Sequence, residues 1–183
     1  MAISFRDVKS AKVIVAKTRE IRPEQGTLPG TVVADFARIL KTYGLQKCSG
    51  DRFGAAWVTE AFQREGITLE ASELNSSQLY VEMVGPLSDG KVEIPDDDRL
   101  VRQLKALQCK VVPGGADKVL SGKADRSHSD LSNAVAGAVW LADQREAPGP
   151  RLRSLFDDDD EGQPSSVDDI RARLRAAGYE REI

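Results

Sequence analysis

Two aspartates in this chain are set where a carboxylate can do chemistry. Asp51 sits in the run Gly50-Asp51-Arg52-Phe53-Gly54, between an extended segment and a helix that opens toward Trp57, Val58, Ala61 and Phe62. Asp130 opens a second helix, and the small residues that follow it, Asn133, Ala134, Gly137 and Ala138 before Leu141, define the face expected to approach a sheet closely. An aspartate in the first turn of such a helix would meet Asp51 across the strand ends. Two carboxylates brought together repel unless a divalent cation lies between them, and hard oxygen ligands suit magnesium or manganese. The matching chemistry is two-metal phosphodiester hydrolysis, in which one ion generates hydroxide and both stabilise the attacking and leaving oxygens. Taken singly, each residue has a plainer reading: Asp51 as a cap for the helix behind it, Asp130 as a complement to a helix dipole.

Other candidates carry less. His128, the only histidine, and Asp125 are possible accessories to Asp130, although the first suits a surface or capping role and the second a loop. Asp96, Asp97 and Asp98 resemble metal ligands but stand at a helix start, where acidic residues satisfy free amides. Gly115 to Lys123 imitates a phosphate loop, yet Asp117 occupies the place of a required glycine and Ala124 follows Lys123 where Ser or Thr is needed. No GxGxxG fingerprint, paired-cysteine metal site or nucleophile elbow occurs.

The elements that must position these residues follow from spacing. Residues 2 to 6 and 11 to 21 are short apolar or alternating runs around Asp7 to Ser10, which predicts an antiparallel hairpin. Val32, Val33, Phe36, Ala37, Leu40 and Tyr43 predict a helix over 31–43 that Gly44 ends. Leu45 to Ser49 reads as the strand leading into Asp51. Trp57, Val58, Ala61 and Phe62 form the apolar stripe of the next helix, Gly66 stops it, and Ile67 to Leu69 is a short strand. A helix over Asn75 to Leu87, a strand at Lys91 to Ile94, a helix carrying Leu100, Val101, Leu104 and Leu107, and a hairpin of Cys109 to Val112 with Lys118 to Leu120 come next. Ser129 to Ala142 is apolar nearly all round from Ala134, so a buried helix is expected. This alternation implies an α/β sheet of mixed strand direction, with Asp51 at the carboxyl end of a central strand.

Composition bounds the function. Residues 151–183 hold 6 Arg against 9 Asp plus Glu, which leaves 20 basic and 20 acidic residues in 1–150. A neutral body offers no general attraction for nucleic acid, so any DNA contact has to be local. The expected organisation is one domain over 1–145, an acidic linker over 146–165 and a helical tail over 166–183. Cys48 and Cys109 lie far apart, and the amino end lacks the apolar run of a signal peptide or membrane span, so a cytoplasmic protein with free thiols and no membrane association is expected.

Tyr43-Gly44, the Gly50 to Gly54 run, Trp57-Val58, Phe62, Gly66-Ile67, Ser77 to Tyr80, Leu87 to Ile94, Arg99 to Leu107 and His128-Ser129-Asp130-Leu131-Ser132-Asn133-Ala134-Val135-Ala136-Gly137-Ala138 resemble, in that order, the nuclease domain of tailed-phage terminase large subunits. The resemblance covers roughly residues 2 to 142. It implies a ribonuclease H-like fold, a mixed sheet flanked by helices. It also implies a metal-dependent endonuclease that uses two Mg2+ or Mn2+ ions to cut concatemeric double-stranded DNA during genome packaging in the host cytoplasm. The partners implied are a terminase ATPase domain, a small terminase subunit and a portal protein. Asp51 matches the acid after the central strand and Asp130 the acid opening the final helix; Ser129 stands where a further acid is common. The first strand with its aspartate would lie upstream of Ala2, so the fold is expected to lack that strand. The alternative is a catalytically inactive remnant or a packaging interaction module, which a neutral body and an acidic tail also suit.

Overall fold

The computed structural model describes residues 1–21, 27–51, 56–110, 118–121 and 129–144. Of these, the residues of Met1–Arg6, Lys12–Arg22 and Ser72–Gln144 form one compact unit, and those of Asp7–Ala11 and Pro23–Ala71 form a second. The linker and tail proposed over 146–183 lie outside the described residues.

The first unit begins with the hairpin that the alternating residues predict. β1 (Ala2–Arg6) pairs antiparallel with β2 (Val13–Thr18), with a register shift between Ile3 and Ser4. On its other side β2 pairs in parallel with β5 (Val92–Glu93), so this three-stranded sheet is mixed. Val13 and Val15 point from alternate positions of β2 into the core, as the period of a strand requires. That core is closed by α3 (Ser76–Ser88), α4 (Asp98–Lys105) and α5 (Asp130–Gln144), with α5 lying against β1, β2, α3 and α4. Leu79, Tyr80 and Met83 of α3, Leu100 of α4, and Leu131, Val135, Ala136, Val139 and Ala142 of α5 meet there. β6 (Leu107–Lys110) and β7 (Lys118–Ser121) form a separate antiparallel hairpin.

Two of the three described helix starts in this unit, those of α3 and α4, are capped as their residue types dictate. Asn75 accepts from the Gln78 amide while the Gln78 side chain accepts from the Asn75 amide, a reciprocal box of the kind that typically contributes about 1 kcal/mol. Asp97 accepts from the amides of Arg99 and Leu100. That assigns one of the three tempting aspartates to capping. Leu107, expected on the helix, instead opens β6: an apolar residue three positions after Leu104 fits a helical stripe as well as a strand.

The second unit holds α1 (Pro29–Thr42), β3 (Lys47–Gly50), α2 (Ala56–Arg64) and β4 (Thr68–Ala71). β3 and β4 pair in parallel, and α2 packs on both α1 and β4. Val33, Ala37, Ile39, Leu40, Tyr43, Phe62 and Ile67 are buried. The stripe expected on α2 is narrower than its sequence suggests, because Phe62 is buried whereas Trp57 is 49% exposed. Gly66 takes φ +73, the left-handed turn that ends α2 without a side-chain penalty.

Strand directions are mixed as expected, but the described ladders form three sheets rather than one. Asp51 follows a strand with one described neighbour, β4.

Candidate functional site

Asp51 stands at the carboxyl end of β3, exposed, in the second unit. Behind it the strand is tightly laid: a Cβ on Gly50 would come 3.0 Å from Leu69 Cδ1 on β4. The glycine therefore lets Leu69 cover the strand end from which Asp51 emerges. Arg52, Phe53 and Gly54 lie outside the described residues, as do Asp125 and His128.

Asp130 is the first residue of α5, also exposed, in the first unit. Each unit thus carries one of the two aspartates. The face of α5 turned into the core is not the one its small residues suggest. Leu131, Ser132, Val135, Ala136, Val139 and Ala142 are buried, whereas Leu141 is exposed. Gly137 does mark a close approach, since a Cβ there would sit 3.6 Å from Leu79 Cδ1. The bulkier Leu131, Val135 and Val139 decide the orientation because they remove more apolar area from water. Asp130 consequently projects from the flank of the buried stripe.

The turn that carries Asp130 is held by a buried polar network absent from the sequence-based expectations. The Ser132 amide donates to Gln103 Oε1 of α4 at 2.8 Å. Ser132 Oγ donates to the Ser129 carbonyl at 3.0 Å and lies 2.9 Å from the Tyr80 hydroxyl, which is also 3.3 Å from that carbonyl. The Asn133 amide closes the first helical bond on the same carbonyl at 2.9 Å. Gln103 is 3% exposed and Ser132 fully buried. A polar residue inside the stripe Leu100, Leu104 was the available sign.

Asp130 is felt by its neighbours. Burial raises the Tyr80 hydroxyl pKa, partly offset by its bond to Ser132, and the Asp130 charge raises it further. Burial lowers the Met1 amino group, which Glu20 and Asp130 both pull back up. Glu20 lies just beyond β2 and is held by Arg99, whose Nη2 donates to it at 2.8 Å. Cys48, beside the strand end of the other unit, has its thiol pushed up to about 11 by burial and by Glu70. A thiol so raised stays protonated and unreactive at neutral pH.

A carboxylate oxygen is a hard donor of the kind a divalent cation takes, and each unit by itself presents one from an exposed aspartate. In the first unit Asn133 Oδ1, three residues after Asp130, is a buried acceptor with no hydrogen bond among the described residues. Among the described residues, however, no group of three or more His, Cys, Asp or Glu could hold a metal ion. No described helix is long and apolar enough to cross a membrane.

The arrangement is a mixed α/β fold of the ribonuclease H-like kind. Among solved structures, the chain is similar to the large terminase nuclease domain of Thermus phage P74-26, with TM-score 0.57, 17% identity, and 80% of this chain and 82% of that one covered. It is also similar to the large terminase nuclease of the thermophilic phage G20c with bound cobalt, with TM-score 0.55, 18% identity, and 76% and 80% covered. The resemblance carried by the Gly50 to Gly54 and His128 to Ala138 stretches therefore extends to the fold. No protein-family model matches the chain, and no curated protein matches it in sequence.

Proposed function

We propose that this chain is the nuclease domain of a phage terminase large subunit, a phosphodiester hydrolase acting on double-stranded DNA during genome packaging. The observation that supports the reading is the fold shared with two terminase nuclease domains over about four-fifths of each chain. Asp51 and Asp130 would hold the Mg2+ or Mn2+. A bound divalent ion in such a site supplies a hydroxide nucleophile and stabilises the charge that develops on the phosphate. The chain's own contribution is positional: Gly50 and Leu69 fix the strand end before Asp51, and the Ser129 to Ser132 turn fixes Asp130. The terminase ATPase domain, small subunit and portal are the partners this reading entails, in the host cytoplasm.

The test is Mn2+-dependent nicking of supercoiled plasmid by the full chain, with calorimetric Mn2+ titration in parallel. Asp51→Asn is expected to weaken Mn2+ binding and abolish nicking. Retention of both by the variant would overturn the assignment. A second reading, a packaging interaction module that does not cut, is supported by the balance of 20 basic and 20 acidic residues over 1–150, which gives no general attraction for DNA. Nicking by the unaltered chain would eliminate that reading.

A further inference from the structure

An α-helix begins with amides that have no intrahelical partner, and the third of them is usually satisfied by the side chain of the residue just before the helix. In α5 that amide belongs to Ser132, and its acceptor is Gln103, 29 residues earlier and on a different helix. Glutamine is seldom buried, and here it is 3% exposed between Leu100 and Leu104. The same turn is gripped from a third helix: the Tyr80 hydroxyl of α3 lies 2.9 Å from Ser132 Oγ and 3.3 Å from the Ser129 carbonyl. Two elements of the core thus converge on the backbone either side of one exposed residue, Asp130. Burying this many polar atoms does not help stability more than apolar packing of the same volume would. What it adds is a fixed position for the turn.

We infer that Gln103 is a positioning residue for Asp130, with Tyr80 as its auxiliary: together they hold the first turn of α5 so that the Asp130 carboxylate is preorganised for a divalent cation. This rests on the assignment of Asp130 as a metal-holding residue made above. Gln103 touches neither metal nor substrate; it acts through the Ser132 amide. Loss of its acceptor leaves that amide buried without a partner, and the turn then shifts to find one. The consequence falls on the geometry of the carboxylate, and partners of this supporting kind typically change metal affinity by about ten- to a hundredfold.

The experiment is a calorimetric titration of Mn2+ alone into the full chain, at a temperature at which circular dichroism shows every variant folded. Gln103→Met keeps the volume and removes the acceptor; it is expected to weaken Mn2+ binding about tenfold. Gln103→Glu restores an oxygen acceptor to the Ser132 amide and is expected to recover most of the affinity. Tyr80→Phe, which removes one hydroxyl while leaving the bond from Ser132 Oγ to Ser129 in place, is expected to weaken binding less and keeps the test open if Gln103→Met does not fold. A purely structural role would lower the melting temperature without changing affinity below it. If Asp130→Asn weakens binding and neither Gln103→Met nor Tyr80→Phe does, the positioning role is overturned while the metal assignment stands. If Asp130→Asn leaves the affinity unchanged, or the unaltered chain takes up no Mn2+, the assignment of Asp130 falls and the positioning role falls with it.

Discussion

The two units support the same kind of residue in opposite ways. Asp130 is exposed, but the turn beneath it is tied by Gln103, Tyr80 and Ser129 and backed by a core that includes Leu100, Leu131 and Val135. Asp51 is exposed too, yet it follows a four-residue strand on which Lys47 and Ser49 are exposed and whose described neighbour is the equally short β4. The Lys47–Glu70 ion pair across that ladder, at 3.1 Å, is solvent-exposed and contributes little. The turn under one carboxylate is thus set by buried hydrogen bonds from other helices, whereas the other carboxylate follows a short, largely exposed ladder. The first arrangement tolerates few changes at the core and the second tolerates many.

The sharpest way to break this contrast is to truncate one apolar residue in each unit. Leu100 is fully buried, and Leu100→Ala is expected to destabilise the first unit by about 2–5 kcal/mol. Leu69 is only half-buried, and Leu69→Ala is expected to cost less. Amide hydrogen exchange read separately over Val13–Thr18 and Lys47–Gly50 measures the two effects. Equal losses would remove the distinction.

A smaller effect distinguishes Gly66 from Gly50 in the second unit. Gly66→Ala forces a side chain into φ +73 and is expected to cost about 1–2 kcal/mol by denaturant unfolding. At Gly50 the backbone is not left-handed, and the close neighbour is the far end of a flexible leucine. Gly50→Ala is therefore expected to cost less than Gly66→Ala.

The weakest probe is chemical. Cys109 is exposed, whereas Cys48 is partly buried with its thiol pushed up to about 11. At pH 8 a thiol-alkylating reagent should label Cys109 well before Cys48, as mass spectrometry of the folded chain would show. Because the folded-state value lies above the unfolded one, the contribution of Cys48 to stability is fully present below pH 9 and is lost as the pH rises from 9 through about 11. Fast labelling of Cys48 at pH 8 would mean that β3 opens readily.

Helical periodicity and turn residues made most of the elements legible, because Val33, Ala37 and Leu40 or Leu79, Tyr80 and Met83 repeat at the spacing that one buried face requires. The orientation of α5 was not legible. Its run of alanines and glycine blurs the period, and only contact with β1, β2, α3 and α4 shows which side is turned inward. Asp97 was legible as a cap, whereas Gln103 was not, since a polar residue within an apolar stripe acquires its meaning from a partner on another helix. The positions of Asp51 and Asp130 along the chain identified the candidates. Their support became visible only with the packing.

The first unit is assembled from both ends of the described chain, with Val13 paired to Val92 and α5 laid over the hairpin that begins at Ala2. The β3–β4 pair and both helices that accompany it are made from the intervening stretch. On a ribosome that adds about 5–20 residues per second, β3, β4, α1 and α2 can make their described contacts with one another seconds before α5 reaches the first unit. Until Leu131, Val135 and Val139 emerge, Val13, Val15 and Leu100 lack the helix that closes over them. The hairpin that starts the chain must wait for its last described helix, so tension on an arrest peptide placed along the nascent chain should rise first after β4 and again only after α5. The turn bearing Asp130 would then be among the last of the described residues to take shape.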